Sequence, residues 1–90
     1  MTVEFNIPQF WQHLTDNVKV AEVDGGTVGE CIEELMNRFP QLEDMLLDKD
    51  GKLPRLLNVY INKESAFPEE LDKPVHEGDE LHIMYTLVGG

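Results

Sequence analysis

The sequence predicts an α+β domain in which a mixed sheet of four to five strands packs against one main helix. Three observations carry this. Residues 2–7 and 80–88, at opposite ends of the chain, alternate between apolar and polar side chains as half-buried strands do. Between them, from Thr27, apolar residues recur at helical spacing behind a capping sequence. With 90 residues, 41% of them hydrophobic, the chain makes one domain around one core.

In residues 2–7, Val3, Phe5 and Ile7 share one face, Glu4 and Asn6 the other, and Pro8 ends the strand. Residues 9–17 read as a loop with one helical turn, in which Phe10, Trp11 and Leu14 offer an aromatic to the core. Val18 and Val20 begin a second alternation toward Val23, and Asp24-Gly25-Gly26 turns the chain with the positive φ angles that glycine supplies. Thr27-Val28-Gly29-Glu30 is a capping box: the Thr27 hydroxyl accepts from the Glu30 amide, and the Glu30 carboxylate reaches back to the Thr27 amide.

Val28, Ile32, Leu35, Met36 and Phe39 then form the buried stripe of a helix that Pro40 stops, with Cys31 as a small apolar filler within it. A short helical turn is predicted between Leu42 and Leu47, followed by a turn at Asp48-Lys49-Asp50-Gly51. Residues 56–62 make a third strand with Val59 and Ile61 inward, Asn62-Lys63-Glu64-Ser65 turns the chain, and residues 66–74 are irregular. His76-Glu77-Gly78-Asp79 turns into the last strand, residues 80–88. There Leu81, Ile83, Tyr85 and Leu87 face one way and His82, Met84, Thr86 and Val88 the other. In the resulting order of strand, strand, helix, strand, strand, the first and last strands lie side by side at the centre of the sheet, with the helix across one face.

The composition narrows the function. A net charge of −11 repels phosphate backbones and anionic membranes, so neither nucleic acid nor a membrane is an expected partner, whereas basic protein surfaces are. One cysteine excludes a disulfide framework. The amino-terminal residues show no secretory pattern and no apolar run is long enough to span a bilayer, which makes the cytoplasm the expected location. His13, His76 and His82 fall in different elements without metal-ligand spacing, and no nucleophile stands beside a base, so the chain is not expected to be an enzyme or to hold a metal or bound cofactor. His76, His82, Asp79 and Glu80 read as turn and surface residues.

What remains is Gly89-Gly90. With glycine near 7% of average sequence, two terminal glycines coincide by chance in about 0.5% of chains. Lacking Cβ atoms, they can thread a channel too narrow for side chains. A terminal carboxylate, ionised at pH 7, can attack the α-phosphorus of a nucleotide held by another enzyme. The expected organisation is thus a body of residues 1–88 and a flexible tail of residues 89–90.

The segment HEGDELHIMYTLVGG, residues 76–90, with its Gly-Asp turn, apolar strand and terminal Gly-Gly, resembles the ubiquitin-like sulfur carriers, the MoaD/ThiS group. GKLPRLLNVYINKE, residues 51–64, is a second match, and the resemblance covers nearly the whole chain. It implies a ubiquitin-like β-grasp fold. It also implies that a ubiquitin-activating-type enzyme adenylates Gly90 with ATP, that a sulfur donor converts it to a thiocarboxylate, and that a biosynthetic enzyme accepts the sulfur. Gly89 is then the neighbour that threads the partner's active site. The chain most resembles the branch that serves cysteine biosynthesis. Tyr85-Thr86-Leu87 stands where the molybdopterin branch often has prolines. Two alternatives share the tail chemistry: a ubiquitin-like modifier that forms isopeptide bonds, and the molybdopterin-synthase small subunit. A regulatory subunit that merely borrows the fold is a third. On the face opposite Leu81 and Ile83, Met84 and Val88 are expected to join Tyr60 in an apolar patch for partner docking, unless a loop covers them.

Overall fold

A computed structural model describes residues 2–54, 56–67 and 69–85. Five strands, β1 (Thr2–Asn6), β2 (Val20–Asp24), β3 (Leu57–Ile61), β4 (Glu64–Ser65) and β5 (Glu80–Tyr85), form one mixed sheet in the order β2-β1-β5-β3-β4. The expected central pairing is present: β1 and β5 run parallel, with Phe5 opposite Leu81, and every other pairing is antiparallel. Helix α1 (Val28–Arg38) supplies the required crossover from the opening hairpin, and the short α2 (Glu43–Leu46) follows a 3-10 turn at Pro40–Leu42.

The core lies between α1 and one face of the sheet. Val3 and Phe5 from β1, Val59 from β3 and Leu81 from β5 meet Val28, Ile32 and Leu35 from α1, all almost fully buried. Trp11, on the 3-10 turn Gln9–Leu14, is the aromatic that the loop delivers, and Phe10 stands edge-on to it at 5.8 Å. Cys31 is buried among these side chains; desolvation, with Glu30 and Asp24 nearby, pushes its thiol up to about 11, so it fills space and stays unreactive.

Three local expectations are corrected. In β2 it is Ala21 and Val23 that point inward, while Val20 is 47% exposed. Asp16 and Asn17 take positive φ and turn the chain just before the strand, so Val18 packs against the core from outside the ladder and does not set its alternation. The Glu30 amide does donate to the Thr27 hydroxyl at 3.2 Å, but the Glu30 carboxylate accepts from Gly26 N–H at 2.7 Å rather than from Thr27. Finally, Gly25 is not among the positive-φ residues; it is there because a Cβ would sit 2.9 Å from the Cys31 nitrogen, inside contact distance of the helix it precedes.

The segment after β3 also differs. Asn62-Lys63 alone makes the turn, with Asn62 at φ 59, and Glu64–Ser65 returns as the short edge strand β4. A two-residue hairpin needs this left-handed backbone, which asparagine tolerates better than most residues. In the irregular stretch beyond, a 3-10 turn at Glu70–Asp72 rests on α1.

Candidate functional site

The predicted site follows β5 in the chain, so what positions that strand sets where the chain leaves the sheet. At its start, Gly78 with φ +85 allows the turn, and its N–H donates to Thr2 O at 3.0 Å. The Asp79 carboxylate accepts from His76 N–H at 2.8 Å and from the Asn62 side-chain amide at 3.2 Å, and Asn62 Oδ1 accepts from Glu80 N–H at 3.1 Å. These bonds tie the turn before β5 to the turn after β3. The His76 N–H, with help from Asn62, holds the Asp79 carboxyl below the usual carboxylate range. Asp79 is the turn residue the sequence suggested, and its partner Asn62 was not foreseen, because the two lie far apart in the chain.

Along β5 both edges are paired, Glu80 to His82 with β1 and Leu81 to Tyr85 with β3. The strand is thus held on both sides up to His82 and by β3 alone from Ile83 to Tyr85. Leu81 and Ile83 are buried against the helix side, whereas Met84 is 54% exposed and His82 partly so. Tyr60 of β3 stands opposite His82, and Met84 stands opposite Asn58. Tyr60, His82 and Met84 thus share the face away from α1, where with Asn62 and Lys63 they line a shallow depression of about 400 Å³. No described loop is among the residues that line it apart from the Asn62-Lys63 turn. Two of the three predicted interface residues, Tyr60 and Met84, are therefore brought together; the third, Val88, lies outside the described residues, as do Gly89 and Gly90.

His82 Nε2 is 3.5 Å from a Glu80 carboxylate oxygen and His76 Nδ1 is 3.8 Å from one of Asp79, local contacts in keeping with the turn and surface roles expected of them. Among the described residues no group of three His, Cys, Asp or Glu side chains is placed to hold a metal ion, and no helix is long and apolar enough to cross a membrane.

A helix laid across a five-stranded mixed sheet whose first and last strands are parallel neighbours at its centre is the ubiquitin-like β-grasp. Within that class the chain belongs to the ThiS family, whose model matches residues 8–90, and which comprises ubiquitin-like sulfur carriers. It is 30% identical to the sulfur carrier protein CysO of Mycobacterium tuberculosis over the full length of both chains. It is 33% identical to small archaeal modifier protein 1 of Haloferax volcanii, over 89% of this chain and 98% of that one. A solved complex of BexX with CysO from Amycolatopsis orientalis contains a chain that superposes with a TM-score of 0.86 at 34% identity, covering 98% of this chain and 99% of that one.

Proposed function

We propose that this chain is a sulfur carrier whose working group is the Gly90 carboxylate, on a tail of residues 89–90 that follows a body of residues 1–88. The observation that carries the reading is end-to-end similarity to a protein named a sulfur carrier, in a chain with Gly-Gly at positions 89 and 90. In this reading the carboxylate oxygen of Gly90 attacks the α-phosphorus of ATP held by a ubiquitin-activating-type enzyme. Pyrophosphate leaves and an acyl adenylate forms. Sulfide from a sulfur donor then attacks the carbonyl carbon, AMP leaves, and the thiocarboxylate that results gives its sulfur to a biosynthetic enzyme, for which cysteine assembly is the favoured route.

The chain acts as a co-substrate, and the ATP belongs to its partner. Gly89 passes through the partner's channel, where a Cβ would obstruct it. Val88, Met84 and Tyr60 make the apolar contact that seats the body, with the net charge of −11 drawing in a basic partner surface.

The test is carrier-dependent ATP–pyrophosphate exchange by the activating enzyme of the native cell. The full chain should support exchange and a chain lacking Gly90 should not; equal exchange from both would remove Gly90 from the mechanism. A second reading, a modifier joined to lysines of other proteins through the same adenylate, is favoured by the 33% identity to small archaeal modifier protein 1. Covalent adducts in the native cell that vanish on deleting Gly90 would establish it alongside the first.

A further inference from the structure

A second surface borders the end of β5, on the other side of β3. A cleft of about 950 Å³ is floored by Leu53, Pro54, Leu57 and Leu71 and walled by Phe67. Phe67 is 67% exposed, an unusual position for a phenylalanine. Its rim is acidic: Glu69, Glu70 and Asp72 line it against one described cation, Lys52.

Its place in the fold gives this cleft its meaning. Ala66 N–H donates to Val59 O at 2.8 Å, so the chain through Phe67 runs beside β3 back toward Leu57. Leu57 in turn is paired with Tyr85. Ala66 therefore lies about two strand spacings, roughly 10 Å, from β5, and Phe67 follows it directly. Leu56, 48% exposed, immediately precedes Leu57. Gly90 is five residue steps beyond Tyr85, a span of at most about 18 Å. Any enzyme that holds Gly90 in its active site is confined to the surface around the end of β5, and this cleft is part of that surface.

We infer that the cleft walled by Phe67 is a docking surface for the enzyme that adenylates Gly90, and that it receives a bulky apolar side chain flanked by Lys or Arg. The inference rests on the carrier reading above and adds a contact separate from the Tyr60 and Met84 face. The occupant's charge follows from the rim. Three carboxylates near a site that must also hold ATP are unfavourable unless the partner meets them with cations, and a partner that does so gains both association rate and register. Aromatic side chains, phenylalanine among them, are enriched at protein interfaces relative to the rest of the surface.

The experiment measures ATP–pyrophosphate exchange by the adenylating enzyme purified from the native cell, with the carrier as varied substrate. Phe67→Ser should raise KM for the carrier roughly tenfold with kcat within about twofold, the pattern of lost uniform binding. The pair Glu69→Lys and Asp72→Lys should raise KM similarly and weaken its dependence on salt. Glu64→Lys, one charge reversal where the pair makes two, at the far end of β3 beside Ile61, should leave KM within about twofold, less than a general charge effect of half the size would give.

Unchanged KM in both the Phe67 and the paired charge variants, or an equal rise in Glu64→Lys, overturns the inference and leaves the carrier reading standing. Faster exchange by Phe67→Ser overturns it too, because the cleft would then be holding the chain's own tail. No exchange with the unaltered chain overturns both.

Discussion

The two ends of β5 are built on opposite terms. Where the strand begins, polar groups are matched to one another: Asp79, Asn62, Glu80 and His76 exchange hydrogen bonds of 2.8–3.2 Å, and Thr2 N–H and O each find a partner in the Glu77-Gly78 turn. Where the strand ends, large apolar side chains face water instead: Met84 in β5 itself, Leu56 just ahead of β3 and Phe67 just after β4. The first end secures the fold. The second leaves apolar surface without a partner in the described chain, which costs solubility and is retained at binding surfaces. A domain this small has one core to hold it together, and here the locking groups and the uncovered ones are kept at opposite ends of one strand.

That contrast can be broken from either side. The largest effect should come from the core that both ends share: Trp11→Ala, removing an aromatic side chain that is almost fully buried, should cost about 3–5 kcal/mol in chemical denaturation. At the locked end, Asp79→Asn should cost about 1 kcal/mol, because a charge-assisted acceptor is replaced by a weaker one at a partly exposed site. Its sign with pH is definite. A carboxyl held below its ordinary range contributes stability above that range and loses it as pH falls through the depressed value. Acidification below about pH 4 should therefore lower the melting temperature of the unaltered chain more than that of Asp79→Asn.

A similar loss of about 1 kcal/mol is expected for Thr27→Ala, which removes the acceptor for Glu30 N–H and loosens α1. At the open end the effect on stability should be smallest. Met84→Asp, on a half-exposed side chain, should unfold within about 0.5 kcal/mol of the unaltered chain yet slow adenylation. If it were to destabilise the domain as Asp79→Asn does, the two ends would not differ in the way described.

The features legible in the sequence were those written in short stretches. Val3 and Phe5 announced their face by alternation, Thr27 and Glu30 announced the helix start, and Pro40 its stop. The central pairing of β1 with β5 was legible because the two segments alternate most strongly. What the sequence hid depends on residues meeting across the fold. Ala21 is too small to mark an inward face, so Val20 claimed it. Gly25 signalled a turn, whereas its reason is the backbone of Cys31 nearby in space.

Asn62 and Asp79 are 17 positions apart and become neighbours only when β3 pairs with β5. Phe67 lay in a stretch with no period to read, and its exposure is a consequence of where β4 delivers it. Of the candidate site, the shared face of Tyr60 and Met84 was legible and the cleft beside it was not, while Gly89 and Gly90 lie outside the described residues.

The central claim is that Gly90 carries sulfur. Intact-mass analysis of the chain isolated from its native cell, with fragmentation to locate the change, addresses it most directly. The account predicts a species in which one carboxylate oxygen of Gly90 is replaced by sulfur, absent when the activating enzyme is deleted. Sulfur found on Cys31 or nowhere on the chain, while sulfur transfer proceeds in cells whose carrier lacks Gly90, would contradict it.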